Sequence, residues 1–499
     1  MNTHTTPLRR AASTRAPLQE RPFALLFGML FFAILSLPVW GAWLLPTTLA
    51  YVLVAYDLYW TFQAIYGAVS GIHSYRRLQA WLKVDWLACY RQLNKPVQQI
   101  VIIPNYSERV EVLAATLERL AQCVYPREQL HVILAMEERE ATAAAKAEIL
   151  RARFAQRFGH CWATFHPLLA HEKASKGSNL TYAARQLSKF AHELGWDTAR
   201  VMVTTIDADT RLHPQYLAAL SVQFLTAPNP TRKFFQGIML ILNNIWDVRA
   251  VIRAFSAFWT FGYVTGASHY ARLTTAIYSM SLRLLEDIGY WDPAVLIEDG
   301  HIFFRAFFKL KGQVEVLPIY LTAGLDAIGA RTLRDALSAQ YQQMSRWAWT
   351  VSNLPFVANQ WLRHGEISLT RKLQKCFPYV ETLLLMPASW FVITFGAMLP
   401  PFINPAVRMD IMGVSLALIT SLILAPSAVG IIAGLAINIK LRGQFAPRPQ
   451  TLSGIQRLLY WSEWLLLPLA AVFYFSLPYI QAYLRLMRGK ELSYVTTPK

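Results

Sequence analysis

Three short stretches of this chain hold charged side chains in patterns that could act on a phosphorylated substrate. In "TTIDADT", Asp207 and Asp209 flank Ala208 directly after the apolar run "ARVMV". Two carboxylates on one tight turn can face a single magnesium or manganese ion, and such an ion neutralises charge growing on a diphosphate leaving group. An isolated Asp-x-Asp is as readily a helix-capping turn; its place after a strand-like run favours the metal. In "AVLIEDGHIFFRAFFK", Glu298 and Asp299 precede a helix that carries Arg305. Capping explains one of these acids, and a second, following "WDPAVLI", asks for more than a cap. In "QQMSRWAWT", residues 342–350, Gln343, Arg346 and Trp347 are spaced i, i+3 and i+4, so one helix face presents an amide, a cation and an aromatic plane. An interfacial belt accounts for the arginine and tryptophans separately.

Other candidates lie upstream. "HEKASKGSNL" offers Lys176 and Asn179 for a diphosphate or a base, against the plainer reading of a solvated charged loop. "LHVILAMEEREA" ends an apolar run in Glu137 and Glu138, which are otherwise surface acids at a strand end. "TGASHYAR", residues 265–272, is a candidate wall for an acceptor, and His269 within it takes no catalytic role.

The elements that must position these residues follow from the apolar patterning. "QQIVIIPNYSE" is a buried-strand run ending in Pro104 and Asn105, and residues 109–120 form an amphipathic helical pattern. Residues 132–136 repeat the event, with a helical stretch reaching Phe158, and "ARVMVTTIDADT" is a third strand ending in acids. Alternating strands and helices predict an α/β fold with a parallel sheet, whose ligand site lies at the carboxyl ends of the strands.

The composition sets this domain in a membrane. The 499 residues are 54% hydrophobic, include 16 tryptophans and carry a net charge of +18, and the mean hydropathy is +0.28. Residues 23–44 and 47–72 read as a transmembrane hairpin, and 380–403, 411–439 and 458–484 as three further crossings, the last interrupted by Pro468 and Pro478. The predicted organisation is a basic cytoplasmic leader over 1–21, the hairpin over 22–72, a cytoplasmic catalytic domain over 73–350, interfacial helices over 351–379, a C-terminal membrane region over 380–484 and a basic tail over 485–499. Arg9, Arg10, Arg15 and Arg21 place the leader inside by the positive-inside tendency, whereas five crossings put Arg485, Arg488 and Lys490 outside, against the same tendency. Anionic headgroups and a phosphorylated substrate account for the positive charge without nucleic acid. Cys89, Cys123, Cys161 and Cys376 have no metal-ligand spacing and read as reduced thiols.

Together, Asp207 with Asp209, Glu298 with Asp299 followed by Arg305, and Gln343 with Arg346 and Trp347 resemble the signature of processive family-2 glycosyltransferases, the membrane group that contains cellulose, chitin and hyaluronan synthases. The resemblance covers about residues 98–350 and the membrane layout. It implies a GT-A-like nucleotide-sugar domain with a mostly parallel sheet, embedded between N-terminal and C-terminal transmembrane helices of the cytoplasmic membrane. The implied reaction is inverting, metal-dependent transfer from a nucleoside-diphosphate sugar, UDP-linked, to a glycan, making a β-linked polysaccharide; single addition to a lipid or lipid-linked acceptor is the alternative. Asp207 and Asp209 would hold Mg2+ or Mn2+ and the diphosphate, and Asp299 would be the general base with Glu298 beside it. Glu137 or Glu138 would meet the base and ribose, Arg346 the pyrophosphate, Trp347 a sugar face and Gln343 sugar or phosphate, with Lys176 at the diphosphate or base and Asn179 helping to orient it. Membrane lipids and export or periplasmic accessory proteins are the implied partners. The chain departs from the family in two places: Glu137 and Glu138 stand where aspartates are usual, and "RWAWT" lacks the glycine that commonly follows the Arg-Trp pair. A transporter would place its ionisable residues within the bundle, and a scaffold would not need the acids at all.

Overall fold

In the computed structural model, which describes residues 19–269, 272–409, 411–448, 453–455, 458 and 462–492, the apolar runs become strands of one eight-stranded sheet. The leader arginines Arg9, Arg10 and Arg15, Tyr270 with Ala271, Arg457, and part of the segment 458–484 lie outside the described residues. The strands are β1 (Gln98–Pro104), β2 (Leu130–Glu137), β3 (His160–His166), β4 (Val201–Thr205), β5 (Arg211–Leu212), β6 (Lys233–Ile241), β7 (Tyr278–Ser281) and β8 (Glu315–Leu325), in the order β3-β2-β1-β4-β7-β6-β8-β5. The pairs β1–β2, β1–β4, β2–β3 and β6–β8 are parallel, while β4–β7, β6–β7 and β5–β8 are antiparallel, so the sheet is mixed and largely parallel.

Period-two alternation sends neighbouring strand residues to opposite faces. Val101, Ile103, Val132 and Leu134 pack with Leu113 and Leu117 of the helix Val110–Ala121 and with Leu150 and Phe154 of the helix Ala143–Phe154. Ile100, Ile102, Ile133 and Ala135 pack on the other face with Leu180, Ala184 and Leu187 of the helix Lys176–Glu193 and with Phe303 and Phe307 of the helix Asp299–Lys309. Burial on both faces is why these strands read as unbroken apolar runs. Each such aliphatic side chain contributes about 1.5–3 kcal/mol on leaving water.

Two differences from the sequence-based expectation have local causes. β3 was not anticipated, because "HCWATFH" forms an edge strand with most of its residues half-buried and lacks the unbroken apolar signal of an inner strand. The helical stretch expected through Phe158 stops at Phe154 and closes in a short 3-10 turn, Ala155–Arg157. β6 shifts register against β8 at Gly237/Ile238. Gly237 is required there, since a Cβ would lie 2.6 Å from the Tyr216 ring.

Apolar helices flank the sheet domain in sequence. Leu369–Phe395 and Ser415–Phe445 are long and apolar enough to cross a membrane, and the pair Arg21–Leu35 with Leu37–Leu44, bent by 75°, brings the number to three if it forms one span. The bend falls at Ser36 and Pro38, where a proline near the start of the second helix cannot continue the hydrogen-bond ladder of the first. The return span expected over 47–72 is a helix of 33 residues, Leu49–Trp81, but it is not among the helices apolar enough to cross, for it carries the buried Asp57 and Gln63 bonded to Glu381. Its end, and the start of Leu369–Phe395, run beyond the limits read from the sequence. All four cysteines are free thiols, with Cys123 and Cys376 buried.

Candidate functional site

Because β1, β2 and β4 run parallel, Asn105, Glu137 and Asp207 emerge at one end of the sheet, and all three line a cavity of about 630 Å³. Asp209, Lys176, Asn179, Glu298, Asp299, Gln343, Arg346 and Trp347 line the same cavity. Residues drawn from stretches more than 200 positions apart are thus brought to one wall by the sheet and by three helices.

The helix Lys176–Glu193 begins at the cavity, its first turn closed by a capping box between Ser175 and Ser178. A Cβ on Gly177 would stand 3.0 Å from the Glu298 Cβ, so the glycine lets this helix start approach the acid pair. Lys176 Nζ donates to Asp207 Oδ1 at 2.8 Å and to the Ala276 carbonyl at 3.2 Å, and lies 3.7 Å from Glu298 Oε1. Burial works against its charge, but Asp207, Glu298 and Asp299 outweigh this and hold the ammonium above its ordinary range. Asp209, 5% exposed, accepts from the Asp326 N–H at 3.1 Å, and Asn243 joins the Asp209 carbonyl to the Asp326 carboxylate.

Glu298 and Asp299 open the helix Asp299–Lys309 yet sit in different surroundings. Burial, and then the neighbouring Asp299, push the Glu298 carboxyl well above the usual carboxylate range, with Lys176 pulling the other way. Asp299 Oδ2 accepts from the Ala276 N–H at 3.0 Å, its carbonyl accepts from Thr274 at 2.6 Å, and its buried Oδ1 has no hydrogen-bond partner among the described residues. Ala276 holds both the lysine and the base candidate from a left-handed backbone, φ 43°, a strained conformation for a residue with a Cβ.

At the β2 end, Glu137 is 2% exposed and fixed from both sides, by Arg139 Nε at 3.0 Å and His166 Nδ1 at 3.2 Å. His166 reaches Glu172 through its other nitrogen at 2.9 Å. Burial opposes protonation of this imidazole, but the bonds to Glu137 and Glu172 prevail and raise its pKa. The Arg139 guanidinium lies 3.9 Å over the Tyr106 ring, and both residues line the cavity. Asn179 spends its amide group on the Ala135 carbonyl at 2.8 Å, which ties the helix Lys176–Glu193 to the end of β2.

The helix Leu333–Ala348 turns Gln340, Gln343, Arg346 and Trp347 into the cavity, with Gln340 donating to Gln343 at 3.4 Å. Trp347 meets Trp259 edge to face, centroids 5.0 Å apart. Trp259 and Tyr263 come from the helix Ala250–Gly266, and the wall continues through Tyr379, Thr382 and Leu383 of the long apolar helix and Tyr479 near the C-terminus.

Two sequence candidates fall outside this group. Glu138 is exposed and is not part of the cavity wall. Arg305 turns away, pairing with Asp292 at 3.4 Å and donating to the Ile288 and Gly289 carbonyls. His269 lines the cavity, but burial and then Arg272 and Lys375 lower its pKa to about 4, so it is a neutral ring packed against Tyr66. Tyr106, Arg139, Ala276 and Asp326 were missed. Tyr106 and Arg139 carried a faint signal, each just beyond a predicted strand; Ala276 carried none. Among the described residues no three His, Cys, Asp or Glu side chains gather as a ready metal site.

The model of the family described as Glycosyl transferase family group 2 matches residues 202–482, more than half of the chain, and the chain belongs to that family. It carries a family-2 glycosyltransferase catalytic domain. Comparison with curated proteins gives no match. Among solved structures, a mannosyltransferase from Pyrobaculum calidifontis in complex with GDP-Man and Mn2+ is similar at 16% identity and TM-score 0.40, over 84% of this chain and 97% of that one. GalNAc-T7 with UDP, GalNAc and Mn2+ is similar at 8% identity and TM-score 0.34, over 58% of each chain. S. aureus TarS 1-349 with UDP is similar at 12% identity and TM-score 0.29, over 72% of this chain and 95% of that one. The ligands in those crystals describe those proteins.

Proposed function

We propose that this glycosyltransferase moves one sugar from a nucleoside-diphosphate donor, UDP-linked, to a lipid or lipid-linked acceptor at a membrane surface. The carrying observation is the continuity of the cavity, from Lys176, Asp207 and Asp299 to a wall of Trp259, Tyr379, Leu383 and Tyr479 supplied in part by a helix apolar enough to span a bilayer. A polar head can reach the acids while an apolar tail stays against that helix. In this reading the protein is a multi-pass protein of the cytoplasmic membrane, its catalytic domain on the cytoplasmic side.

Arg139 and Tyr106 form a flat cationic and aromatic pair suited to the nucleobase, with Glu137 beside them for base or ribose hydroxyls. Lys176 and Arg346 stand where negative charge grows on the leaving diphosphate, stabilising it as the bond to the sugar breaks. Asp299 Oδ1, buried and open to a donor, takes the acceptor proton as the hydroxyl attacks the anomeric carbon. Glu298, its carboxyl pushed above the usual range by burial and Asp299, lies 3.7 Å from Lys176. A single displacement of this kind inverts the anomeric centre, so an α-linked donor yields a β-linkage. The two carboxylates on the Asp207–Asp209 turn are hard oxygen donors of the kind that suit Mg2+ or Mn2+, and they would hold the ion. Such an ion, when bound, neutralises diphosphate charge.

Chain extension to a polysaccharide is the second reading, favoured by Trp347 at the cavity wall, where an indole face can hold a sugar ring. The test is incubation of nanodisc-embedded protein with radiolabelled nucleotide sugars and Mn2+, followed by organic extraction and mass analysis. Label in the organic phase at one sugar increment supports the proposal. A water-soluble ladder of products replaces it with extension, and no transfer from any donor removes both.

A further inference from the structure

A second cavity, of about 370 Å³, opens far from the acids, between the starts of β6 and β8 and the first turn of the helix Leu369–Val380. Asn229, Arg232, Lys233, Gln313, Glu315 and Arg371 line it. Glu315 is the sole carboxylate among those six, and it is already shared: Lys233 reaches it at 2.7 Å and Arg371 at 3.3 Å. The Lys233 hydrogen bond first, and then the charges of Arg371 and Lys375, hold its carboxyl below the usual range.

Lys375, one turn beyond Arg371 on the same helix, is 5% exposed and makes no hydrogen bond or ion pair among the described residues. Its ammonium has the Phe303 ring at 5.9 Å, and Arg371, Arg272 and Lys233 act on it as like charges against Glu315. An ammonium withdrawn from most of its water without an anion beside it is unfavourable, and cationic neighbours add to that. The arrangement is rigid: Arg371 donates to the Gly312 and Val314 carbonyls at 3.1 Å, and Lys372 to the Trp361 carbonyl at 2.8 Å. This end of the helix is therefore seated on the catalytic domain. Arg232, Lys233 and Arg371 thus line the cavity with one carboxylate, and Lys375, outside the lining, acts on the same carboxylate as a fourth positive charge.

We propose that this cavity binds a phosphoryl oxyanion, either free phosphate or the phosphate of a lipid headgroup, which enters between Arg232, Lys233 and Arg371 and pairs the buried Lys375. The two sources share their chemistry: a compact tetrahedral group with two or more negative oxygens, matched to a guanidinium fork and ammonium point charges. Neither donor nor acceptor enters the test of this site.

Full-length protein is reconstituted in phosphatidylcholine nanodiscs with EDTA, titrated with inorganic phosphate at constant ionic strength, and followed by thermal unfolding. A parallel arm replaces part of the lipid with phosphatidic acid and omits free phosphate. A rise in Tm of at least about 2 °C is expected in one arm or both, the first identifying free phosphate and the second a headgroup. Lys375→Met removes the buried charge at similar volume; its resting Tm should stay at or above that of the parent, and the rise should vanish. Lys233→Gln, at the rim, should at least halve the rise if the buried variant fails to fold. An undiminished rise in both Lys375→Met and Lys233→Gln would place the phosphate elsewhere and overturn the proposal, as would no rise in either arm.

Discussion

Replacing Asp299 with asparagine separates proton removal from donor binding, and the structure sets the size of the effect. Asparagine is isosteric, so its Oδ1 can keep the 3.0 Å bond from the Ala276 N–H. Its NH2 group then occupies the buried position of the present Oδ1, which has no partner among the described residues. A site that accepts a proton becomes one that donates, and general-base assistance of about 100- to 10,000-fold is lost, or about 2.7–5.4 kcal/mol of transition-state stabilisation. Nucleotide affinity should change by less than about threefold, because the diphosphate contacts are untouched. Glu298→Gln supplies the contrast. Burial and then Asp299 push the Glu298 carboxyl above the usual range, toward the neutral form that glutamine mimics, so turnover should stay within about tenfold. The assay is initial-rate transfer from radiolabelled nucleotide sugar at saturating donor, with nucleotide affinity by calorimetry. Asp299→Asn turning over within about fivefold of the parent, or Glu298→Gln proving equally damaging, would refute the assignment of the base.

Asp209→Asn should move the manganese activation curve about tenfold to higher concentration, and an unchanged curve counts against its part in holding the ion. Trp347→Ala removes an indole packed edge to face on Trp259; it should raise the acceptor KM about 3- to 10-fold while nucleotide affinity holds, whereas equal losses in both would make the tryptophan a structural anchor. His166, clamped between Glu137 and Glu172, has its folded-state pKa raised. The stability it contributes is full below about pH 6.5, its unfolded value, and is lost as pH rises through the higher folded value. Thermal scans across that window should show the parent losing stability with rising pH and His166→Asn lacking that component; parallel curves would sink the clamp.

The local chemistry of the chain was open to reading before any fold was known. The runs that became β1, β2 and β4 are apolar without a break because parallel inner strands are covered on both faces, and acids mark where β2 and β4 leave the core. Asp207, Asp209, Glu298, Asp299, Gln343, Arg346 and Trp347 were found by type and spacing, and the sheet gathers them around one cavity. The mixed half of the sheet was not readable, because β5 to β8 pair across long stretches of chain, some parallel and some antiparallel, and β5 is two residues long.

Only tertiary structure could show the rest. Arg139 stacks on Tyr106 across a gap of 33 positions, Ala276 links Lys176 to Asp299 through its backbone, and Lys375 lies buried among cations from three separate elements. It also decided that burial and Asp299 push the Glu298 carboxyl above the usual range while its neighbour Asp299 faces the Ala276 amide, and that Arg305 pairs with Asp292 instead of entering the site. The sequence carries the periodicity that fixes which face of a strand or helix is buried. It does not carry the distances between residues remote along the chain, and those distances set every charge and hydrogen bond in the site.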